Sequence, residues 1–138
     1  MRFMVMAMVP KEAEAAAPPN PEAFAAMQKY NEEAAKAGVL LAAEGLNAPS
    51  QTIRVKFSGD ERIVMDGPYA EAKEVVAGFM ILQVKSKEEV IEWVKRAPNG
   101  SATGEGMVEI RKLLDVEDFQ DMLGDKFTPN EEVAKVKY

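Results

Sequence analysis

The side chains of this chain that could carry acid–base chemistry are carboxylates, and the first candidates lie in the stretch MDGPYAEAKEVVAGF, residues 65–79. Asp66 opens a turn-forming segment, Glu74 precedes an apolar run, and Tyr69 lies between them. A carboxylate can accept or release a proton, and a phenol can donate a hydrogen bond to developing negative charge. The spacing predicts a site at the mouth of a pocket, with Asp66 as a candidate base and Tyr69 as a candidate donor.

The same stretch also has a purely structural interpretation. Asp66 can accept local backbone hydrogen bonds, Gly67 tolerates positive φ, and Pro68 fixes φ at about −65°. A turn that directs the next strand explains these three residues without a ligand. Both interpretations stay open for Asp66, Tyr69 and Glu74.

A third carboxylate, Glu44, interrupts the apolar segment VLLAAEGL, residues 39–46. A carboxylate buried in a strand is costly unless a cation pairs with it or the carboxyl stays neutral. Both arrangements occur at functional sites and in structural ion pairs. Glu44 is therefore a second candidate base.

Glu109 and Arg111 share one face of a predicted strand near the end of the chain. They could form a solvated edge, or Arg111 could pair with Glu44 in an internal salt bridge. Alternatively, Glu44, Glu109 and Arg111 line a small polar pocket, with Arg111 stabilising negative charge. The adaptable walls of that pocket would then be methionines at positions 4, 6 and 8.

The composition excludes several classes of chemistry. The chain has no cysteine and no histidine, which removes disulfides, thiol nucleophiles, the usual serine triad and the usual zinc and haem ligands. A net charge of −6 argues against nucleic acid as a partner. No apolar run approaches the length of a membrane span, and no carboxylate spacing predicts a metal or cofactor. The default location is cytoplasmic.

The elements that must position these side chains follow from hydrophobic patterning. Residues 2–9, 39–46 and 75–84 are apolar on both pleat faces and predict strands buried on both sides. Residues 51–57 and 61–66 alternate around Ser58, Gly59 and Asp60 and predict a hairpin with one wet face. Residues 106–114 predict a last strand.

Two helices are predicted between these strands. The first runs from Pro21 to about Ala37, with Asn20 as its cap and Gly38 as its end. The second begins at Ser86, which forms a capping box with Glu89, and ends near Arg96. The predicted apolar stripe of the first helix contains Phe24, Met27, Ala34 and Ala35, flanked by Tyr30. The inward residues predicted for the second are Val90, Ile91, Trp93 and Val94.

A C-terminal helical extension, residues 115–138, follows a main domain of residues 1–114. Asp115 should cap a short amphipathic helix in it, with Val116, Phe119 and Met122 or Leu123 pointing inward. A further helical turn could begin at Pro129.

The element order predicts an α+β fold, the ferredoxin-like βαββαβ plan with an inserted hairpin. Two helices can cover only one face of such a sheet, yet three strands are apolar on both faces. A second copy of the chain is the simplest cover for the other face, so we expect a homodimer joined sheet to sheet.

The residues from Asp66 to Glu74, DGPYAEAKE, resemble the DGPFAETKE motif of the DGPF family, within the YCII-related group. Tyr69 replaces the usual Phe and Ala72 replaces Thr. The similarity extends from Met1 to about Leu114. The resemblance implies a dimeric α+β barrel. A His-Asp pair has been suggested as catalytic in the wider group, but this chain has no histidine to supply it.

The sequence therefore favours a homodimeric protein that binds a small-molecule ligand or acts as a regulatory module, without a clear catalytic apparatus. The alternative is an enzyme of isomerase or lyase type that uses Glu44 or Asp66 as base. A third hypothesis is an interaction protein that uses the extension to bind a partner. The residues predicted to line the ligand site are Glu44, Asp66, Tyr69, Glu74, Glu109 and Arg111.

Overall fold

A computed structural model describes residues 1–10, 20–66, 73–100 and 104–136 of the chain. Up to its last strand, the elements follow the predicted order of strand, helix, strand, hairpin, strand, helix and strand. In chain order they are β1 (Arg2–Pro10), α1 (Pro21–Lys36), β2 (Leu40–Gly45), β3 (Ile53–Ser58), β4 (Glu61–Asp66), β5 (Glu74–Gln83), α2 (Lys87–Lys95), β6 (Met107–Lys112), α3 (Val116–Leu123) and α4 (Glu131–Ala134).

Four of the strands form one sheet in the order β2-β5-β1-β6, and every neighbouring pair is antiparallel. The fold is α+β, and this strand order is compatible with the predicted ferredoxin-like plan. The remaining strands, β3 and β4, pair only with each other and form a separate two-stranded sheet. The predicted hairpin is therefore an insertion outside the main sheet.

Local capping chemistry explains where the helices begin. The side-chain oxygen of Asn20 accepts a hydrogen bond from the backbone N–H of Glu22 at 2.9 Å, which confirms the predicted cap of α1. At the end of that helix, Gly38 has a φ of +76°, a conformation that glycine adopts readily. Ser86 caps α2 through the N–H of Glu89, whereas the Glu89 carboxylate binds the N–H of Lys85 instead of closing the predicted box.

The core lies between the sheet and the two helices. The residues of this core are Phe3, Val5, Tyr30, Ala34, Val39, Leu82, Val84, Val90 and Trp93. The phenol of Tyr30, predicted to flank the helix stripe, is buried and donates a hydrogen bond to the Trp93 carbonyl at 2.6 Å. Phe24 was predicted to be inward but is 65% exposed, because the first turn of α1 extends beyond the packed core.

The two-stranded hairpin is exposed along its whole length. A tight turn at Gly59 and Asp60 joins its strands, and Gly59 has a φ of +58°. All residues of β3 and β4 are exposed, including the side that was predicted to be dry. The prediction of one wet face was wrong for the isolated chain because no described element packs on the other face.

The extension after β6 folds as predicted but does not pack as predicted. Asp115 caps α3 and forms a reciprocal capping box with Asp118. The side chains of Val116, Met122 and Leu123 are 46, 59 and 49% exposed, so their predicted inward placement was wrong. The fourth apolar residue of this helix, Phe119, stacks on Phe127, which follows the helix in the chain. Their ring centroids are 5.5 Å apart.

Candidate functional site

The face of the main sheet opposite the core presents two rows of side chains across all four strands. Strand register determines both rows, since directly opposed residues point to the same side of a sheet. The first row contains Glu44, Phe79, Met6 and Glu109. The second row contains Ala42, Ile81, Met4 and Arg111. We call this surface the open face.

The open face is apolar at its centre and charged at its edges. Met4, Met6 and Phe79 are partly buried and Ile81 is buried, whereas the edge residues Glu44, Glu109 and Arg111 are exposed. The three charged residues predicted to line a pocket therefore do share one face. Their arrangement is a charged border around an apolar centre.

Within one chain, Glu44 and Arg111 lie too far apart for the predicted salt bridge. Glu44 is on β2 and Arg111 on β6, which are the two outer strands. Three strand spacings separate them, roughly 14 Å between backbones. Among the described residues no ion pair joins them, so that structural interpretation was wrong.

The environment of Glu44 also differs from the prediction. The carboxylate was expected to be buried among apolar neighbours and therefore to need a cation or a proton. It lies near the end of an edge strand and is exposed, so water solvates its charge in the isolated chain. Of its apolar neighbours along the sequence, Leu40 packs against the core, whereas Ala42 lies on the open face with Glu44.

The two carboxylates of the turn segment are carried by different sheets. Asp66 ends β4 in the hairpin, where it stands opposite Ile53. Glu74 begins β5 in the main sheet, where it stands opposite Pro10. Both side chains are exposed. Tyr69, with the rest of residues 67–72, lies outside the described residues, so its predicted role stays a prediction.

A groove that the sequence did not single out lies at the base of the hairpin. Its volume is about 260 Å³, and its lining consists of Leu46, Asn47, Ala48, Pro49, Gln51, Thr52, Val75 and Val76. None of these side chains is ionisable. The oxygen of Asn47 already accepts a hydrogen bond from the N–H of Ala48 at 2.8 Å. The described lining of the groove therefore carries no group suited to acid–base chemistry.

The groups with clearly perturbed acidity lie away from the open face. Burial raises the pKa of the Tyr30 phenol, and nearby Arg96 partly offsets this effect. The Lys112 ammonium donates a hydrogen bond to Asp118, which lowers the pKa of that carboxyl and raises the pKa of Lys112. Asp115 contributes to the same cluster at 3.6 Å from Lys112. This cluster links the end of β6 to the start of α3.

Two features are absent from the described part of the chain. Across residues 1–10, 20–66, 73–100 and 104–136, no three carboxylates converge as a metal site would require. No helix within these ranges is long and apolar enough to cross a bilayer.

Comparison with known proteins gives two matches. The sequence profile described as the YCII-related domain matches residues 1–117. An uncharacterized protein of Rhizobium meliloti (strain 1021) is 32% identical over 90 residues, which is 65% of this chain and 69% of that protein. The profile covers the main sheet, both core helices and the hairpin.

Proposed function

The chain belongs to the YCII-related domain family, and on that premise we propose that it is a homodimer, joined through the open faces of two sheets, that binds a small organic molecule between them. The narrower assignment to the DGPF group, and the barrel that two such sheets would form, are part of this proposal. So is the division into a dimerising domain of residues 1–114 and an extension of residues 115–138.

The observation that carries the dimer is the apolar centre of the open face. Helices α1 and α2 cover the opposite side, where Phe3, Val5 and Leu82 are buried. On the open side Met4, Met6 and Phe79 keep part of their surface in water although their chemistry favours burial. A sheet with an apolar second face normally packs against another layer, and a second copy supplies a layer of matching character.

The charged border of the open face supports ligand binding. Closing two open faces against each other would surround a methionine-lined space with the carboxylates of Glu44 and Glu109 and the guanidinium of Arg111. Ligand sites commonly combine an apolar wall with a few polar groups that fix orientation. Methionine side chains adapt to varied shapes. A molecule with an apolar body and a polar or anionic end fits this chemistry.

Carboxylate acid–base catalysis has less support from the geometry of one chain. Such a reaction needs a base and a second polar group within hydrogen-bond reach of one substrate. Glu44 and Glu109 lie on opposite outer strands, and Asp66 belongs to the hairpin. Ligand binding requires no such convergence and is the function that we put forward.

The test begins with the size of the protein in solution. Sedimentation at micromolar concentration should show a dimer, and a stable monomer would contradict the first half of the proposal. A metabolite panel is then screened for compounds that raise the melting temperature. With any such compound, Glu44→Gln and Arg111→Gln should reduce the shift in melting temperature at least by half. A separate variant, Asp66→Asn, tests whether the turn residue contributes to the ligand site.

The matched control for these variants is Glu92→Gln. Glu92 is exposed on α2, 3.5 Å from Lys95, and lies on the helix side of the sheet. This variant should retain the full shift. A panel without any stabilising compound would contradict ligand binding, and an undiminished shift in both open-face variants would contradict the assigned site.

A further inference from the structure

One face of the β3–β4 hairpin carries a continuous apolar surface. Ile53, Val55 and Phe57 alternate along β3, and Val64 stands directly opposite Val55. Their side chains are 68, 50, 72 and 67% exposed, respectively. We call these four residues the hairpin patch. An isolated two-stranded hairpin is only marginally stable in water, so a hairpin of this composition needs a surface to pack against.

A second unpartnered apolar surface lies on α3. Val116, Met122 and Leu123 project from one side of this helix and remain about half exposed. We call these three residues the α3 stripe. Exposed carboxylates of Glu117 and Asp121 lie on the opposite side of the helix, one helical turn apart. The helix is thus amphipathic, and its apolar side is the one without a partner among the described residues.

The two surfaces belong to opposite ends of the main sheet in one chain. The hairpin returns to the sheet at Glu74, which pairs with Pro10 at one end of β1. The helix α3 follows Lys112, which pairs with Phe3 near the other end. Seven residues of β1 separate these positions, about 23 Å along the strand. The two ends also lie on different strands, with β1 between β5 and β6.

We propose that in the homodimer the hairpin patch of each chain packs on the α3 stripe of its partner. This inference rests on the proposed homodimer and adds a second contact to it. Two chains related by a twofold axis would make this contact reciprocally. The hairpin patch of each chain would then cover the α3 stripe of the other. The exchange buries the two surfaces that the isolated chain leaves in water.

The exposed area favours a second copy over an unrelated partner. The four patch side chains expose on the order of 450 Å² and the three stripe side chains on the order of 270 Å², so one patch on one stripe would bury at most roughly 700 Å² in total. That is below the approximately 1,200 Å² at which specific interfaces begin. A twofold pair makes this contact twice and buries at most about 1,400 Å², which lies within the range of specific interfaces.

Charged side chains stand at both ends of the hairpin patch. Arg62 stands opposite Phe57, with its guanidinium 4.4 Å from the centre of the Phe57 ring. Asp66 stands opposite Ile53 at the other end. The hairpin patch is therefore an apolar strip with a cation near the tip of the hairpin and a carboxylate near its base.

The chain contains no cysteine, which makes engineered cross-links easy to interpret. The experiment mixes full-length Val64→Cys protein with full-length Met122→Cys protein, allows exchange of subunits, and oxidises under native conditions. We expect a disulfide-linked dimer in the mixture. The control mixture of Val64→Cys with Phe24→Cys should stay uncross-linked, because Phe24 is exposed on α1 and lies outside both surfaces.

A second measurement addresses energetics. Val64→Asp and Met122→Asp should each raise the dissociation constant of the dimer at least tenfold, whereas Phe24→Asp should leave it unchanged. If the parent dimerises but neither charged variant weakens it and no mixed cross-link forms, the hairpin exchange is wrong while the sheet-to-sheet dimer stands. Cross-linking of Val64→Cys with itself alone would also overturn the exchange. A monomeric parent overturns the homodimer itself.

Discussion

A Cβ atom on Gly78 would lie 2.9 Å from the backbone carbonyl oxygen of Glu44 on the neighbouring strand. Real Cβ atoms do not approach a carbonyl this closely, so β2 and β5 can pair here only because position 78 has no side chain. We expect Gly78→Ala to lower the free energy of unfolding by about 1–3 kcal/mol, since the backbone must shift to admit the methyl group. Urea denaturation measures this loss.

The control for that variant is Gly45→Ala, in the adjacent strand. A Cβ at Gly45 meets no atom within 4 Å, and its φ is not positive. The free energy of unfolding should change by less than about 0.5 kcal/mol. Equal losses for the two variants would show that the close approach to Glu44 does not determine the requirement for glycine.

The hydrogen bond from Tyr30 to the Trp93 carbonyl joins the two core helices. Tyr30→Phe removes the buried hydroxyl, although the carbonyl keeps a hydrogen bond from the N–H of Arg96 at 3.2 Å. We expect a loss of about 1 kcal/mol, the usual net worth of such a bond. Thermal unfolding followed by circular dichroism measures it, and unchanged or greater stability would mean that the bond contributes nothing net.

The Lys112–Asp118 pair should make the start of α3 sensitive to acid. The folded-state pKa of Asp118 is lowered from its ordinary value of 3.8, chiefly by the hydrogen bond from Lys112. A lowered pKa means that the stabilisation is present above 3.8 and is lost as pH falls through the folded-state value. In NMR spectra recorded from neutral to acidic pH, the protection factors of the α3 amides, corrected for the intrinsic pH dependence of exchange, should fall at the acidic end while those of Val90 and Trp93 stay high.

The matched variants for this titration are Asp118→Asn and Glu117→Gln. The first removes the carboxylate charge that pairs with Lys112 and should make α3 fray at neutral pH, with little further change in acid. The second changes a neighbouring carboxylate that lies outside the cluster and should keep the parent profile. Identical profiles for Asp118→Asn and the parent would exclude this pair as the cause.

The centre of the open face offers a direct test of the sheet-to-sheet dimer. Met6 is partly exposed and stands opposite Phe79, so Met6→Glu should leave the single chain folded at a cost of about 1 kcal/mol. In a closed dimer the new carboxylate would be buried without a partner, at a cost of several kcal/mol. Sedimentation should then show a monomer.

Gln28→Glu is the corresponding control, because it adds the same charge at an exposed position of α1. It should leave the dimer intact. A Met6→Glu protein that dimerises as tightly as the parent would show that the open face is not the interface.

Most of the fold could be predicted from the sequence because local chemistry determines it. Asn20 and Pro21 define the start of α1, Gly38 defines its end, and Asp115 caps α3. The strands that are apolar on both faces likewise identify three of the four members of the main sheet.

The site was harder to predict, because its placement depends on which strands become neighbours. One interpretation joined Glu44 to Arg111 in a salt bridge, which is wrong within one chain because β2 and β6 are the outer strands. The other placed Glu44, Glu109 and Arg111 around a pocket, and it stays a prediction. Patterning shows which side of a strand is apolar, but it does not show what covers that side. For the same reason the sequence did not predict that Val64 and Met122 are exposed.

The separate pairing of β3 with β4 has a kinetic consequence. The main sheet and its helices share one core within a single chain, whereas in the proposed homodimer the hairpin gains its stabilising contacts from the partner. Its ordering would then be a bimolecular step that follows a unimolecular one. Hydrogen exchange of the hairpin amides should accordingly slow as protein concentration rises, while exchange at the buried Leu82 is unaffected. On this proposal the hairpin is the last element to fold and the first to open on dilution.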